Sequence, residues 1–218
     1  MSEARLASYF AIAKRDVPTE HWFHLGRPIS RVAGELTALS WNGSMFEFLM
    51  PALFLGSQEG RLTGRSERAV VAVQMGYADR LGLPWGVSES SFGQRDSAQT
   101  YQYQAFGVPG LGLRKGLGED YVVAPYASGL ALAVAPLEAV RNLRRLSEMG
   151  LIAPYGLYEA VDFTPARQLG EARFTPVKSF MAHHQGMMMT AIANRLNANA
   201  LQRRFLADRR MKSIELLL

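Results

Sequence analysis

Three short segments of the sequence place a glutamate close to an aromatic residue and a glycine. They are residues 40–47 (SWNGSMFE), 83–90 (LPWGVSES) and 155–163 (YGLYEAVDF). Aromatic rings stack on the apolar faces of sugars, while carboxylates and amides bind their hydroxyl rims. Cleavage of a glycosidic bond requires two carboxyl groups, and burial beside an aromatic raises a glutamate pKa toward the protonated form that one of them needs. Glu89 follows Trp85 by four residues, and Glu159 directly follows another aromatic, Tyr158. Both glutamates are therefore candidates for carbohydrate chemistry.

A plainer interpretation of these glutamates also fits the sequence. A loop carboxylate often accepts hydrogen bonds from backbone amides and has no chemical role. For Glu47, a serine three residues earlier, Ser44, completes the pattern of a capping box at the start of a helix. The residue types alone leave both interpretations open.

A fourth cluster, residues 181–187 (MAHHQGM), contains two adjacent histidines. Neighbouring residues on a helix point about 100° apart, so His183 and His184 are poorly placed to chelate one ion together. The sequence also lacks an HExxH pattern. We therefore expect no metal ion and no cofactor, and instead a buried, hydrogen-bonded histidine or a polar contact to substrate.

Two further segments have compositions that invite a functional interpretation. Tyr101 and Tyr103 fall on one side of an extended segment, where they form either a stacking surface for sugars or a half-buried strand. Residues 107–118 (GVPGLGLRKGLG) match neither GxGxxG nor a Walker loop, since Lys115 is followed by a glycine. We interpret them as a tight loop and not as a nucleotide-binding site.

The composition favours one folded domain. The chain has 218 residues, 48% hydrophobic and 20% charged, with no cysteine, which excludes disulfide bonds and thiolate metal sites. Its 24 Lys and Arg against 19 Asp and Glu give a net charge of +5. The basic residues are scattered, which favours solvated helix faces over nucleic-acid binding. The apolar run at residues 45–56 is shorter than the about 20 residues that span a bilayer, so we expect no span in this segment.

Helical periodicity dominates the chain and predicts helices over residues 2–14, 45–55, 67–81, 124–134, 137–149, 178–197 and 198–218. Pro51 should kink or split the second helix, whereas Ser66 and Gly82 should cap the two ends of the third. Strand signals are brief, as at residues 121–123. The long loops, residues 21–43, 84–118 and 153–174, have the length of functional loops. We therefore expect an all-α fold, part of an (α/α)6 toroid of antiparallel helix pairs with long functional loops.

The clusters also resemble, in order, the motifs of a known family. The strings HWFHLGRP, SWNGSMFEFLMP, PWGVSES, TYQYQAFGVPGLGL, APYASGLAL, YGLYEAVDFTP and FMAHHQGM resemble the glycoamylase-like region of cyclic β-1,2-glucan synthases, which is related to endo-β-1,2-glucanases. The likeness runs from about residue 3 to residue 218. It implies a catalytic carboxylate pair at Glu89 and Glu159, with Glu47 in reserve and the order of nucleophile and acid/base open.

The resemblance implies an enzyme that closes linear β-1,2-glucan into rings by retaining transglycosylation. Two alternatives are an endo-β-1,2-glucan hydrolase and a glucan-binding fragment of a larger synthase without turnover. Family members extend beyond this region, so we expect residues 1–218 to be a single domain that is incomplete on its N-terminal side. Its partners would be a β-1,2-linked glucan and the rest of a cytoplasmic synthase that is anchored in the inner membrane.

The resemblance and the residue types together name the side chains that we expect to contact the glucan. They are Trp41, Glu47, Trp85, Asp96, Tyr101, Tyr103, Tyr158, His183, His184 and Gln185.

Overall fold

Helices and short strands alternate along the chain in this computed structural model, which describes residues 1–168 and 170–218. The helices are α1 (Arg5–Lys14), α2 (Glu20–His24), α3 (Met45–Leu49), α4 (Ala52–Leu55), α5 (Leu62–Leu81), α6 (Pro125–Ala131), α7 (Pro136–Leu146), α8 (Ala182–Leu196), α9 (Ala200–Ala207) and α10 (Arg209–Lys212). The strands are β1 (Ile29–Val32), β2 (Glu35–Ala38), β3 (Ser90–Arg95), β4 (Tyr101–Gln104), β5 (Val122–Val123), β6 (Ile152–Ala153), β7 (Gly156–Leu157), β8 (Ala160–Asp162) and β9 (Thr175–Val177).

The expectation of an all-α fold within a toroid of helix pairs is wrong. Helices make up 46% of the chain, and a further 15% forms strands in several small sheets. The pairs β1–β2, β3–β4 and β6–β7 are antiparallel, and β5, β8 and β9 form an antiparallel sheet with β8 in the middle. These strands are two to six residues long, which is too short for a period-two pattern to stand out within a polar segment. Most of them therefore went undetected, although the extended segment of Tyr101 and Tyr103 corresponds to β4 and the brief signal at residues 121–123 to β5.

Local sequence signals explain most of the helix ends. Pro51 separates α3 from α4, as expected from its missing amide. Gly82 ends α5 in the left-handed conformation, with φ of 68°. The prediction that Ser66 caps this helix is wrong, because α5 begins at Leu62. The Ser66 hydroxyl is buried inside α5 and instead accepts a hydrogen bond from the amide of Ala38, at 3.0 Å.

The main hydrophobic core lies between α3, α5, α6 and α8. Residues of β2, β5 and β8 also contribute to it. Helices α6 and α8 approach closely at Gly129, where a Cβ atom would lie only 2.6 Å from Cγ of Met188. A second cluster joins α1 and α2 to α10 near the two ends of the chain. Helix α8 packs against α4, α6 and α9. In the described parts of the chain, no helix combines the length and the apolar character needed to cross a bilayer.

Candidate functional site

Two adjacent strands position the two candidate glutamates. Glu89 directly precedes β3, and Glu159 directly precedes β8. The Gly93 amide of β3 donates to Oδ2 of Asp162 in β8, at 2.8 Å, which holds the strands side by side. The backbone amide of Glu159 donates to the carbonyl of Ser179 at 3.0 Å, which fixes the start of β8. Both glutamates therefore stand at the entry to neighbouring strands.

Glu159 is a buried carboxylate with a histidine partner. The residue is 2% exposed, and its Oε1 lies 2.8 Å from Nδ1 of His184. The backbone amide of Ser91 donates to the same oxygen at 3.3 Å. The other oxygen, Oε2, is buried and has no hydrogen-bond partner among the described residues, so it is the oxygen left to interact with a ligand.

Glu89 lies in a more open environment than Glu159. Its Oε1 accepts a hydrogen bond of 2.8 Å from the hydroxyl of Tyr103. Partial burial raises the pKa of Glu89, and the Tyr103 hydrogen bond and the nearby His184 counteract this only in part. A raised pKa favours the protonated form that a general acid requires. The phenol of Tyr103 also has a raised pKa, chiefly from burial and from this hydrogen bond, so it stays protonated and able to donate.

The imidazole of His184 lies between the two glutamates in this network of contacts. Its ring stacks on Tyr126, with 3.8 Å between ring centroids and 12° between planes. Tyr103 also stacks on it at 6.2 Å, and the His183 ring lies 4.0 Å away. His184 is fully buried, and its Nε2 has no hydrogen-bond partner within residues 1–168 and 170–218. The predicted buried, hydrogen-bonded histidine is thus present, through Nδ1.

Comparison with known proteins places the chain in a family. The Glycoamylase family model, described as "Putative glucoamylase", matches residues 1–209. The chain belongs to the Glycoamylase family. It is also 48% identical over 217 residues to the cyclic β-(1,2)-glucan synthase NdvB of Rhizobium meliloti (strain 1021), a match that covers 100% of this chain and 8% of that protein. The resemblance inferred from the seven motifs is therefore confirmed.

Solved structures share the fold of this Glycoamylase domain. A putative glucoamylase from Bacteroides fragilis NCTC 9343 matches 100% of this chain and 53% of its own, with a TM-score of 0.72 and 21% identity. An endo-β-1,2-glucanase from Chitinophaga pinensis, in complex with sophorotriose and glucose, matches 90% of this chain and 47% of its own, with a TM-score of 0.66 and 15% identity. At these identities the likeness concerns the fold alone. The chain spans about half of each of these proteins and a small part of the synthase.

Two aromatic residues expected to contact glucan differ sharply in exposure in the Glycoamylase domain. The Trp41 ring is 63% exposed, so it is free to stack on a ligand. The Trp85 ring is 7% exposed and packs in the main core, while its backbone carbonyl and amide both bond to Asn142. Tyr158 lies in contact with Phe180, with 5.4 Å between ring centroids. Their contacts to glucan stay a prediction.

Three polar groups expected at the site already have bonds within the protein. The Asp96 carboxylate accepts from the amides of Ala98 and Thr100, both at 2.9 Å, and so shapes the turn between β3 and β4. The Tyr101 hydroxyl accepts from the Arg95 guanidinium, whose plane also lies over the Tyr101 ring. The Gln185 side-chain amide donates to the Leu157 carbonyl in β7, at 2.9 Å. None of the three contacts Glu89 or Glu159 directly in the bonds that the structure describes.

Glu47 forms the capping box expected from the sequence. Its carboxylate accepts from the hydroxyls of Ser40 and Ser44 and from backbone amides of the intervening loop, at 2.8 to 3.2 Å. Ser44 Oγ in turn accepts from the Glu47 amide. This geometry supports the plainer interpretation of Glu47, because its oxygens organise the loop that carries Trp41.

Sequence reasoning missed Tyr126 and Asp162 as site residues. Tyr126 is buried in α6, and its hydroxyl donates to the Glu89 carbonyl at 3.0 Å while it bonds to Ser88 Oγ at 2.8 Å. Asp162 is buried and binds Arg167 as well as the β3 amide described above. Both lie within the quoted motifs APYASGLAL and YGLYEAVDFTP. An aromatic that follows a proline at a helix start is a common core pattern, so nothing local marked Tyr126 as a support for Glu89.

Proposed function

We propose that this domain binds a β-1,2-linked glucan at the cluster of Glu89, Glu159, Tyr103 and His184 and transfers glycosyl groups between its sugars. The observation that carries the proposal is the placement of two glutamates around one histidine ring in contrasting environments. One is buried and held by N–H donors, and the other is half-buried with a tyrosine hydroxyl on one oxygen. The names of the relatives, a cyclic β-(1,2)-glucan synthase and an endo-β-1,2-glucanase, support the choice of glucan.

The contrast between the two environments also suggests which glutamate acts as the nucleophile and which as the acid/base. Glu159 is held through Oε1 by the Ser91 amide and by Nδ1 of His184, which leaves Oε2 for attack on an anomeric carbon. Glu89 would donate its proton to the departing sugar oxygen as the C–O bond breaks. A covalent glycosyl–Glu159 ester results. Glu89, now ionised, then takes the proton of an acceptor hydroxyl, which displaces Glu159 with net retention.

The nature of the acceptor decides between ring formation and hydrolysis. When the acceptor is a hydroxyl at the other end of the same glucan, the product is a ring, and when it is water, the product is a shorter chain. Exposed aromatic faces such as Trp41, 63% exposed, and Tyr103, 42% exposed, suit the stacking of sugar rings. Sugars held there exclude water from the acceptor position and favour transfer.

A second candidate function is glucan binding without turnover. Glu159 is only 2% exposed, and this burial favours binding without turnover. A sugar can reach Oε2 of Glu159 only if an overlying group moves. The same surface would then serve to hold the chain of a glucan while other parts of a larger protein act on it.

Product analysis with linear β-1,2-glucan separates these functions. We expect the 218-residue chain to form products lighter than the linear glucan of equal length by one water, which mass spectrometry detects as rings. Shortened reducing chains would indicate hydrolysis, and retention of glucan without any product would indicate binding alone. Linear β-1,3-glucan is the control for linkage specificity.

Substitution of the two glutamates tests the assigned roles. Glu159→Gln and Glu89→Gln should each lower turnover by roughly 100-fold or more. Exposed Glu148 provides the matched control, and Glu148→Gln should leave turnover unchanged. Full activity in Glu159→Gln, with binding retained, would rule out its role as nucleophile.

A further inference from the structure

Three side chains that commonly bind metal ions meet where α8 begins. One carboxylate oxygen of Glu89 and one ring nitrogen each of His183 and His184 all lie within 4.8 Å of one another. The His183 side chain is exposed and Glu89 is half-buried, so an ion can reach the group from solvent. We propose that these three side chains bind one divalent transition-metal ion of the Zn²⁺ class.

The hydrogen bonds around His184 leave the correct nitrogen free for a metal. Its Nδ1 lies 2.8 Å from Oε1 of Glu159, so this ring nitrogen already has a partner within the protein. Nε2 is the ring nitrogen that remains for an ion, and it is buried with no hydrogen-bond partner in the described structure. A histidine that donates to a carboxylate through one nitrogen while it binds a metal through the other is the usual arrangement in metal sites. Glu159 would thus orient the ligand without touching the ion.

The adjacent histidines come together despite the helical spacing. Their ring centroids are 4.0 Å apart with an angle of 53° between the rings. This is possible because His183 occupies the second position of α8, where its side chain is not packed against a preceding turn. Zinc bonds of about 2.0–2.2 Å require ligand atoms roughly 3.3 Å apart in a tetrahedron, so the side chains of His183 and Glu89 would have to move closer together when an ion binds.

The donor set selects the class of ion. Two imidazole nitrogens and one carboxylate oxygen suit Zn²⁺ and similar transition metals, whereas Ca²⁺ and Mg²⁺ prefer oxygen ligands alone. Three protein ligands leave a fourth position open toward solvent. One consequence rests on the proposed function: an ion bound to Glu89 occupies the proposed proton donor, so Zn²⁺ should inhibit glucan transfer reversibly.

Direct metal binding tests the proposal without any glucan. Zn²⁺ is titrated into the 218-residue chain, free of any affinity tag, by calorimetry and by equilibrium dialysis with elemental analysis. Co²⁺ serves as a second probe, because its visible absorption reports tetrahedral coordination by nitrogen and oxygen. We expect one Zn²⁺ per chain and a visible Co²⁺ spectrum, with no comparable binding of Mg²⁺ or Ca²⁺.

Matched histidine variants locate the site. His183→Ala removes an exposed ligand and should weaken Zn²⁺ binding about tenfold or more, since loss of even an outer partner typically costs about that much. Glu89→Gln should weaken it similarly. His24→Ala, which removes an exposed histidine on α2, should leave affinity unchanged. Absence of stoichiometric binding, or an equal loss in His24→Ala and His183→Ala, would overturn the proposal, and either result leaves the glucan assay with metal-free protein as a separate test.

Discussion

Nδ1 of His184 lies 2.8 Å from Oε1 of Glu159, and both side chains are almost wholly buried. The contact joins α8 to the residue that precedes β8, across 25 positions of sequence. Tyr126 stacks against the imidazole and so restricts the ring to the plane from which Nδ1 faces the carboxylate. The pair therefore links the packing of α6 and α8 to the orientation of the candidate nucleophile.

Loss of the His184 donor should destabilise the protein because it leaves a buried carboxylate with one partner fewer. We expect His184→Leu to lower the free energy of unfolding by about 1.5–3 kcal/mol, the scale of losing a hydrogen bond to a buried charged group. His184→Asn keeps an N–H donor at the position of Nδ1, so it should recover much of this loss. Denaturant unfolding of both variants provides the measurement, and equal stability of the Leu and Asn variants would show that the hydrogen bond contributes nothing.

The close approach of α6 and α8 should be sensitive to one methyl group. A Cβ at Gly129 would lie 2.6 Å from Met188 Cγ and 3.3 Å from its Cα, so Gly129→Ala should destabilise by about 1–3 kcal/mol. Gly186, on α8, is the matched control, because no described atom outside its own helix lies within 4 Å of a Cβ placed there. Gly186→Ala should stabilise by about 0.5–1 kcal/mol through helix propensity. Thermal unfolding should show opposite shifts in Tm for the two variants.

The buried carboxylate of Asp162 should be sensitive to the loss of its charge. It is buried and accepts hydrogen bonds from Gly93, Thr164 and Arg167 at 2.8, 2.9 and 2.6 Å. Asp162→Asn removes one of the two carboxylates that pair with Arg167, the other being Asp120, and presents an NH₂ group to donors, so we expect a loss of about 3 kcal/mol.

The control for Asp162 is the exposed ion pair at the start of α10. Asp208 pairs with Arg210 at 2.8 Å in solvent and caps the helix. Asn is an equally good cap, so Asp208→Asn should leave stability almost unchanged. Equal effects of the two substitutions in urea unfolding would contradict a special role for Asp162.

Tyr9 gives a pH-dependent prediction for the contact between the chain ends. Its hydroxyl is buried and donates to the Met211 carbonyl at 2.9 Å, and burial, with a smaller effect of Glu215, raises the pKa of Tyr9 to about 12. The raised pKa means that its stabilising contribution is complete below pH 10 and is lost as the pH rises toward 12. At pH 11 ionisation of the unfolded tyrosine costs the folded state about 1.4 kcal/mol.

Tyr9→Phe tests whether the stabilising contribution of Tyr9 decreases as the pH rises. At pH 8 the variant should be less stable than the parent by about 1 kcal/mol, since the Met211 carbonyl loses its donor. Phenylalanine cannot ionise, so the difference in free energy of unfolding should shrink toward zero near pH 11. A stability difference between variant and parent that grows with pH would contradict the raised pKa of Tyr9 in the folded state.

Local signals allowed several parts of the structure to be predicted. The capping box of Ser44 and Glu47, the division of the helix at Pro51 and the end of α5 at Gly82 were all expected. Each depends on residues within one or two turns of one another, for which steric and hydrogen-bonding preferences are decisive. The start of α5 was predicted wrongly at Ser66, because the hydrogen bond that buries its hydroxyl comes from β2, 28 positions away.

The sequence by itself determined the residue types of the site, the family motifs that carry them and most helix positions, because propensity, capping and motif order are encoded within short stretches of chain. Only the tertiary structure decided that short strands run through the predicted loops and that Glu159 faces His184. It also brought the rings of His183 and His184 together beside Glu89. These relationships arise from packing between elements that are distant in sequence, where burial and pairing outweigh local preference.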